Sequence, residues 1–237
     1  MTDRLALWDF DGTLAYRPGM WSGCVVEVLD MHDPAHAITL EMVRAGLRQG
    51  FPWHSPDEQH PYPGDPERWW EPVESLIANT LIQAGLQAER CADLAHAVRL
   101  RFTDPTIAWT LFDDTIETLA AMAEAGWTNA ILSNHVPELS ALVTGLGLDE
   151  HVDRVFTSAL LGYDKPHPEI FRHALRAYDD PEDAWMIGDN PVADVAGAEA
   201  VGIRAILVRT PATDRTKNHA PGLRQASKMI LATQPRP

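Results

Sequence analysis

Along the chain, apolar positions change their spacing twice. Leu5-Ala6-Leu7-Trp8 is an unbroken apolar run that stops at Asp9-Phe10-Asp11-Gly12-Thr13-Leu14, which predicts a short buried strand ended by a glycine turn. From Tyr16 to about Asp114 the spacing is helical. Leu40, Val43 and Leu47 share one face, as do Val73, Leu76, Ile77, Leu81 and Ala84, and then Leu94, Ala95, Val98 and Phe102. With Val25, Val28 and Leu29 ahead of them, the block predicts about four helices and no strand. Within it, residues 51–66 carry five prolines, which forbid a continuous helix and predict a long stiff loop. Trp53, His54, His60 and Tyr62 suit that loop either to cover the far end of a bound ligand or to serve as a packing or dimer contact.

After Thr110 strands and helices alternate. Ile116, Leu119, Ala120 and Ala123 give a helical face that Gly126 ends, and 129–132 is a strand running into Ser133-Asn134-His135. A helix on Leu139, Leu142, Val143 and Leu146 leads to a strand at 154–156, a loop at 162–168, and a helix opened by Pro168. A strand at 184–187 ends in Gly188-Asp189, Asp194 opens a short alanine-rich helix, and 204–208 is a further strand. The tail predicts one helix near 223–231 and frayed last residues. The expected fold is therefore α/β: a Rossmann-like parallel-sheet core from residues 1–15 and 111–237, with an all-helical domain, 16–110, inserted after the first strand.

Composition narrows the partners. A net charge of −15 argues against nucleic acid and anionic membranes, which need dense Lys and Arg, but leaves room for a small phosphorylated substrate held by local cations. No apolar run is long enough to span a bilayer, and the N-terminus lacks a signal-peptide core, so the expectation is a cytoplasmic protein. Cys24 and Cys91 have neither disulfide-framework nor metal-ligand spacing and are expected to be buried small hydrophobes. His32 and His36 are four apart, but Pro34 breaks the helix that would align them as ligands. Oligomeric state leaves no mark in the sequence.

The chemistry lies where predicted strands end. Asp9 and Asp11 at the carboxyl end of a central parallel strand share one crevice, and such crowding of acids favours a hard divalent cation, with Mg2+ the first choice. Asp9, Asp11 and Thr13 resemble the first motif of the haloacid dehalogenase superfamily, and Ser133, Lys165 and the pair Asp189 and Asp194 resemble its second, third and fourth motifs in the right order. The resemblance covers nearly the whole chain, most weakly in the helical block, which corresponds to that superfamily's type-one cap, and in the tail. It implies Asp9 as covalent nucleophile, Asp11 as general acid and base, and Ser133, Asn134 and Lys165 around the phosphoryl group or the loop that holds it. It also implies Mg2+ on the Asp9 carboxylate, the Asp11 backbone carbonyl and Asp189, with Asp194 behind them orienting a metal-bound water or Lys165. A helix N-cap is the alternative role for Asp194.

The activity so implied is a magnesium-dependent phosphatase for a small phosphorylated metabolite. A phosphomutase keeps the same motifs, whereas a 2-haloacid dehalogenase needs neither Asp11 nor a metal, and a non-catalytic binding module predicts a damaged motif where all are intact. Arg17, Arg44, Arg48, His54 and His60 are unranked candidates for substrate selection, and His135 is either a substrate contact or an incidental exposed side chain.

Overall fold

Strand β1 (Arg4–Trp8) lies in the middle of the sheet, because its residues are apolar on both faces and need cover on both. In this computed structural model, which describes residues 3–61, 63–212 and 217–233, the chain next forms β2 (Ala15–Tyr16) and β3 (Thr110–Leu111), an antiparallel pair on either side of a helical block. Tyr62 and the expected frayed end lie outside the described residues. The remaining strands are β4 (Thr128–Ser133), β5 (Arg154–Thr157), β6 (Asp183–Gly188), β7 (Arg204–Val208) and β8 (His219–Ala220). All pair in parallel, in the order β5-β4-β1-β6-β7-β8.

The two-residue period of β1 divides the core. Leu5 and Leu7 pack with Leu132, Met186 and Leu207 beneath α8 (Pro168–Arg176) and α9 (Gly197–Ala200); Ala6 and Trp8 pack on the opposite face with Ile131, Ile187 and Ile206. Each such fully buried aliphatic side chain contributes roughly 1.5–3 kcal/mol. The second face is covered by α5 (Thr115–Glu124), α6 (Leu139–Gly145) and α10 (Leu223–Ala232). There the Trp8 indole donates to Asn129 Oδ1 at 3.0 Å, and Asn129 Nδ2 donates to the Leu119 carbonyl at 2.9 Å, so a buried polar chain ties β1 and β4 to α5.

The helical block comprises α1 (Met20–His32), α2 (Leu40–Gly46), α3 (Pro66–Gln83) and α4 (Ala88–Phe102), with successive helices packed together and α1 also against α4. Val73, Ile77 and Leu81 of the predicted α3 face and the whole predicted α4 face are buried, while Leu76 and Ala84 are half-buried. Thr39 and Asp65 accept hydrogen bonds from backbone N–H groups in the first turns of α2 and α3, and Pro66 fits the first position of α3, where no N–H is needed.

Four local readings are corrected. The block was expected to hold no strand, yet it is bounded by β2 and β3, because the chain leaving and re-entering the sheet must pair its backbone groups. Residues Pro52–His54 of the proline-rich loop make one 3-10 turn. A short helix, α7 (Ser158–Leu161), intervenes between β5 and Lys165. Asp194 does not open its helix: Asn190 does, its side chain accepting from the N–H groups of Val192 and Ala193, and Asp194 lies within the π-helical turn Pro191–Ala196.

His135, in the loop after β4, is buried rather than exposed. Its ring lies 5.3 Å from Phe10, 5.9 Å from Phe102 and 5.1 Å from Trp109, and neither nitrogen has a hydrogen-bond partner. Burial alone pushes its pKa down to about 3. A histidine neutral in the folded state and titrating near 6.5 when unfolded leaves stability intact above 6.5 and removes it as pH falls from there toward 3. The unfolded chain binds the extra proton in that window, so the slope is about 1.4 kcal/mol per pH unit and the full loss on the order of 5 kcal/mol. Denaturant melts between pH 7 and pH 4 should therefore show His135→Phe losing less stability than the parent by about that slope. Parallel curves for the two proteins would show that the imidazole is not held neutral.

Candidate active site

Three neighbouring strands, β4, β1 and β6, deliver Ser133, Asp9 and Asp189 to one end of the sheet, as expected where open parallel sheets bind ligands. The turn after β1 is closed by the Phe10 carbonyl, which accepts from the N–H groups of Leu14 and Ala15. Gly12 is required in that turn. Its φ is +76°, and a Cβ there would stand 2.4 Å from the Asp189 carboxylate.

Asp9 is the hub. Ser133 Oγ donates to its Oδ1 at 2.7 Å and Lys165 Nζ to the same oxygen at 2.8 Å, so neither donor engages Oδ2. Lys165 also donates to Asp194 Oδ1 at 2.5 Å and to the Leu132 carbonyl at 2.9 Å. Burial opposes its charge, but Asp194 and Asp9 outweigh that and raise its pKa. Asp194 is fixed by a second bond, its Oδ2 accepting from the Asn190 N–H at 2.9 Å. Gly188 leaves space for this arrangement, since a Cβ there would lie 2.1 Å from Asp194 Oδ2.

The loop bearing Lys165 is clamped by Asn134, whose Nδ2 donates to the Lys165 carbonyl at 2.8 Å and whose Oδ1 accepts from the Lys165 N–H at 2.6 Å. Asn134, expected around the phosphoryl group or the loop that holds it, both lines the cavity and fixes the lysine backbone. On the other side His60 Nε2 meets Asp164 Oδ2 at 2.6 Å, and the His60 N–H donates to the Gly162 carbonyl at 2.9 Å. The proline-rich loop is therefore pinned to the residue preceding Lys165.

The acids repel one another. Burial, then Asp9 and Asp189, push Asp11 up to about 8, and burial, then Asp9 and Asp194, push Asp189 up to about 7. Carboxylate oxygens of Asp9, Asp189 and Asp194 lie within 4.8 Å of one another.

Above this polar floor is a cavity of about 470 Å³, whose far wall is Met20, Trp21, Trp53, Pro56 and Phe102. Of the residues suggested for substrate selection, Arg44, Arg48 and His54 are exposed and away from it. Arg17 is buried, pairing with Glu27 at 2.5 Å. Trp21 and Phe102 were not anticipated as cavity residues; their helical spacing marks them as core, which they also are. Cys24 and Cys91 are buried free thiols as expected. His36 contacts Asp30 at 3.0 Å, while His32 is exposed in the last turn of α1.

The human Haloacid dehalogenase-like hydrolase domain-containing protein 3 (Homo sapiens) is 34% identical over 186 residues, 75% of this chain and 72% of that protein. A phosphoserine phosphatase from Thermus thermophilus is 35% identical over 153 residues, 64% of this chain and 60% of that protein. The HAD-hydrolase YfnB from Bacillus subtilis, solved bound to magnesium, superposes with a TM-score of 0.73 over 97% of this chain and 99% of that one, at 18% identity, which shows a shared fold. The family model for haloacid dehalogenase-like hydrolases matches residues 4–202, and with its motif residues gathered around Asp9 the chain belongs to that family.

Proposed function

We propose that the chain is a magnesium-dependent phosphatase that hydrolyses a small phosphorylated metabolite through an aspartyl-phosphate on Asp9. The observation that carries this reading is the convergence of Ser133 and Lys165 on one oxygen of Asp9, which orients the carboxylate and leaves its other oxygen without either donor. The phosphoserine phosphatase from Thermus thermophilus and a ribulose-1,5-bisphosphate 5-phosphatase from Halopiger xanaduensis, 38% identical over 100 residues, support the reaction class.

Asp9 Oδ2 attacks phosphorus as the bond to the leaving oxygen breaks, and Asp11 gives that oxygen its proton. Burial holds the Asp11 pKa above the ordinary carboxylate range, which favours a carboxyl with a proton to give. Water then attacks the phosphorus of the aspartyl-phosphate, Asp11 takes the proton from that water, and the bond to Asp9 breaks to release inorganic phosphate. Lys165 and Ser133 offset negative charge on the phosphoryl oxygens and on Asp9. Asn134 and Asp194 keep the ammonium in place.

The residues present fit a hard divalent cation. The crowded carboxylates of Asp9 and Asp189, with pKa elevation at Asp11 and Asp189, mark a site with excess negative charge and oxygen donors only. Asp194 shares that cluster but has both oxygens engaged, by Lys165 and by the Asn190 N–H, whereas Asp9 keeps one oxygen clear of both its donors, so Asp9, Asp189 and the Asp11 carbonyl would hold Mg2+. Bound there, the ion would neutralise charge on the phosphoryl group and help orient it. Asp11 is also what separates this reading from a dehalogenase, whose displacement at carbon has no leaving alkoxide to protonate.

Asp9→Asn should reduce phosphate release to below a few per cent of the parent with an unchanged melting temperature, because an amide is a poor nucleophile. Residual turnover well above that level would remove Asp9 from the covalent role. Asp11→Asn should slow alkyl phosphates far more than aryl phosphates with good leaving groups, which need less protonation; an equal loss on both would argue against acid catalysis by Asp11.

Chelation with EDTA should silence the enzyme and magnesium restore it, and Asp189→Ala should raise the magnesium concentration giving half-maximal rate by about tenfold or more. Full activity after exhaustive chelation would overturn the metal dependence.

A further inference from the structure

We propose that the substrate's leaving group is an uncharged, ring-bearing alcohol, seated against Trp53 and Trp21, with Phe102 stacked behind Trp21. This rests on the phosphatase reading above and adds to it the chemical class of the alcohol.

The first argument is charge. Among the described residues lining the cavity, Lys165 is the only Lys or Arg, and it is engaged by Asp9 and Asp194. The other basic side chain there, His135, is enclosed by aromatic rings and neutral. With Mg2+ and Lys165 committed to the phosphoryl end, the rest of the cavity lining offers no Lys or Arg to receive a carboxylate or second phosphate on the leaving group, and an unpaired charge in a partly desolvated site is disfavoured. Arg17, just after the first motif, is already paired with Glu27.

The second argument is shape and rigidity. A cavity of about 470 Å³ is far larger than a phosphoryl group and falls in the range of pockets that enclose small organic ligands. Its far wall is aromatic and held from behind. Trp21 stacks on Phe102 at 3.9 Å and 11°, Trp53 stacks on Phe51 at 4.5 Å and 9°, and Trp21 and Trp53 stand 6.1 Å apart. Rings fixed in this way lose little freedom on binding, so a flat or cyclic apolar group gains contact at small entropic cost. Trp53 belongs to the loop pinned by His60 to Asp164, which couples this wall to the lysine loop.

The test compares three primary alkyl phosphates with magnesium present: benzyl phosphate, ethyl phosphate and 2-phosphoglycolate. We expect kcat/KM for benzyl phosphate to exceed that for ethyl phosphate by about tenfold or more, and that for 2-phosphoglycolate by about a hundredfold. Trp53→Arg, a change at a half-buried position, should shrink the benzyl-to-phosphoglycolate ratio at least about tenfold by placing a cation in the wall. Benzyl phosphate no better than either comparator would overturn the inference while leaving the phosphatase reading standing. No phosphate release from any of the three would overturn that reading and this inference with it.

Discussion

The site depends on one buried ammonium. Lys165 stands between Asp9 and Asp194 with the Leu132 carbonyl as a third acceptor, almost wholly removed from water. Burying an ion pair is costly, and such a pair does little for stability compared with apolar residues of the same volume. Its worth is positional. An ammonium with all three protons committed cannot wander, and losing the lysine itself would leave Asp9 and Asp194 buried without a counter-charge, at about 3–5 kcal/mol. That constraint propagates outward. Gly188 has no side chain because Asp194 occupies the space, Asn190 caps the following turn and donates its N–H to Asp194, and Asn134 grips the lysine backbone.

The helical block is joined to this centre by polar contacts as well as by packing. The Trp70 indole, on α3, donates to Glu138 at 3.0 and 3.1 Å, and Arg99, on α4, reaches the same carboxylate at 3.4 Å. Glu138 immediately precedes α6 on the core, so the block is registered against the loop that carries Ser133 and Asn134. Together with the pair of His60 and Asp164 beside Lys165, both strand-end loops that shape the site feel the position of the helices above them. A far wall held this way is aligned with the floor before any ligand arrives, which is the condition for using contacts at the leaving group to favour reaction at phosphorus.

Legibility in the sequence followed the range of each interaction. Strand β1, the α/β alternation and the residues at strand ends were readable because they rest on local periodicity and on residue types that only chemistry explains: a buried run ending in Asp9 and Asp11 has no other economical account. The pairing of Asp194 with Lys165 follows from the motif order, but the place of Asp194 in the helix does not, because Asn190 and Asp194 are both good caps and only the phase of the turn decides between them. β2, β3 and β8 have two residues each, too few to show a period. The engagement of Arg17 by Glu27, and of His60 by Asp164 across 104 positions, is purely tertiary.

The aromatic wall was hidden for a different reason. Trp21 and Phe102 belong at once to the hydrophobic core of the helical block and to the surface of the cavity. Apolar periodicity reports only that a side chain leaves water, and a ring that leaves water by facing a substrate pocket carries the same signature as one facing another helix. Polar catalytic residues stand out against such a background, whereas apolar selectivity residues merge with it. A fold in which parallel strands present the reacting groups and inserted helices present the opposing surface will therefore reveal its reaction in sequence more readily than its substrate. The same division lets the helices change which alcohol is accepted without disturbing the ammonium on which the strand ends depend.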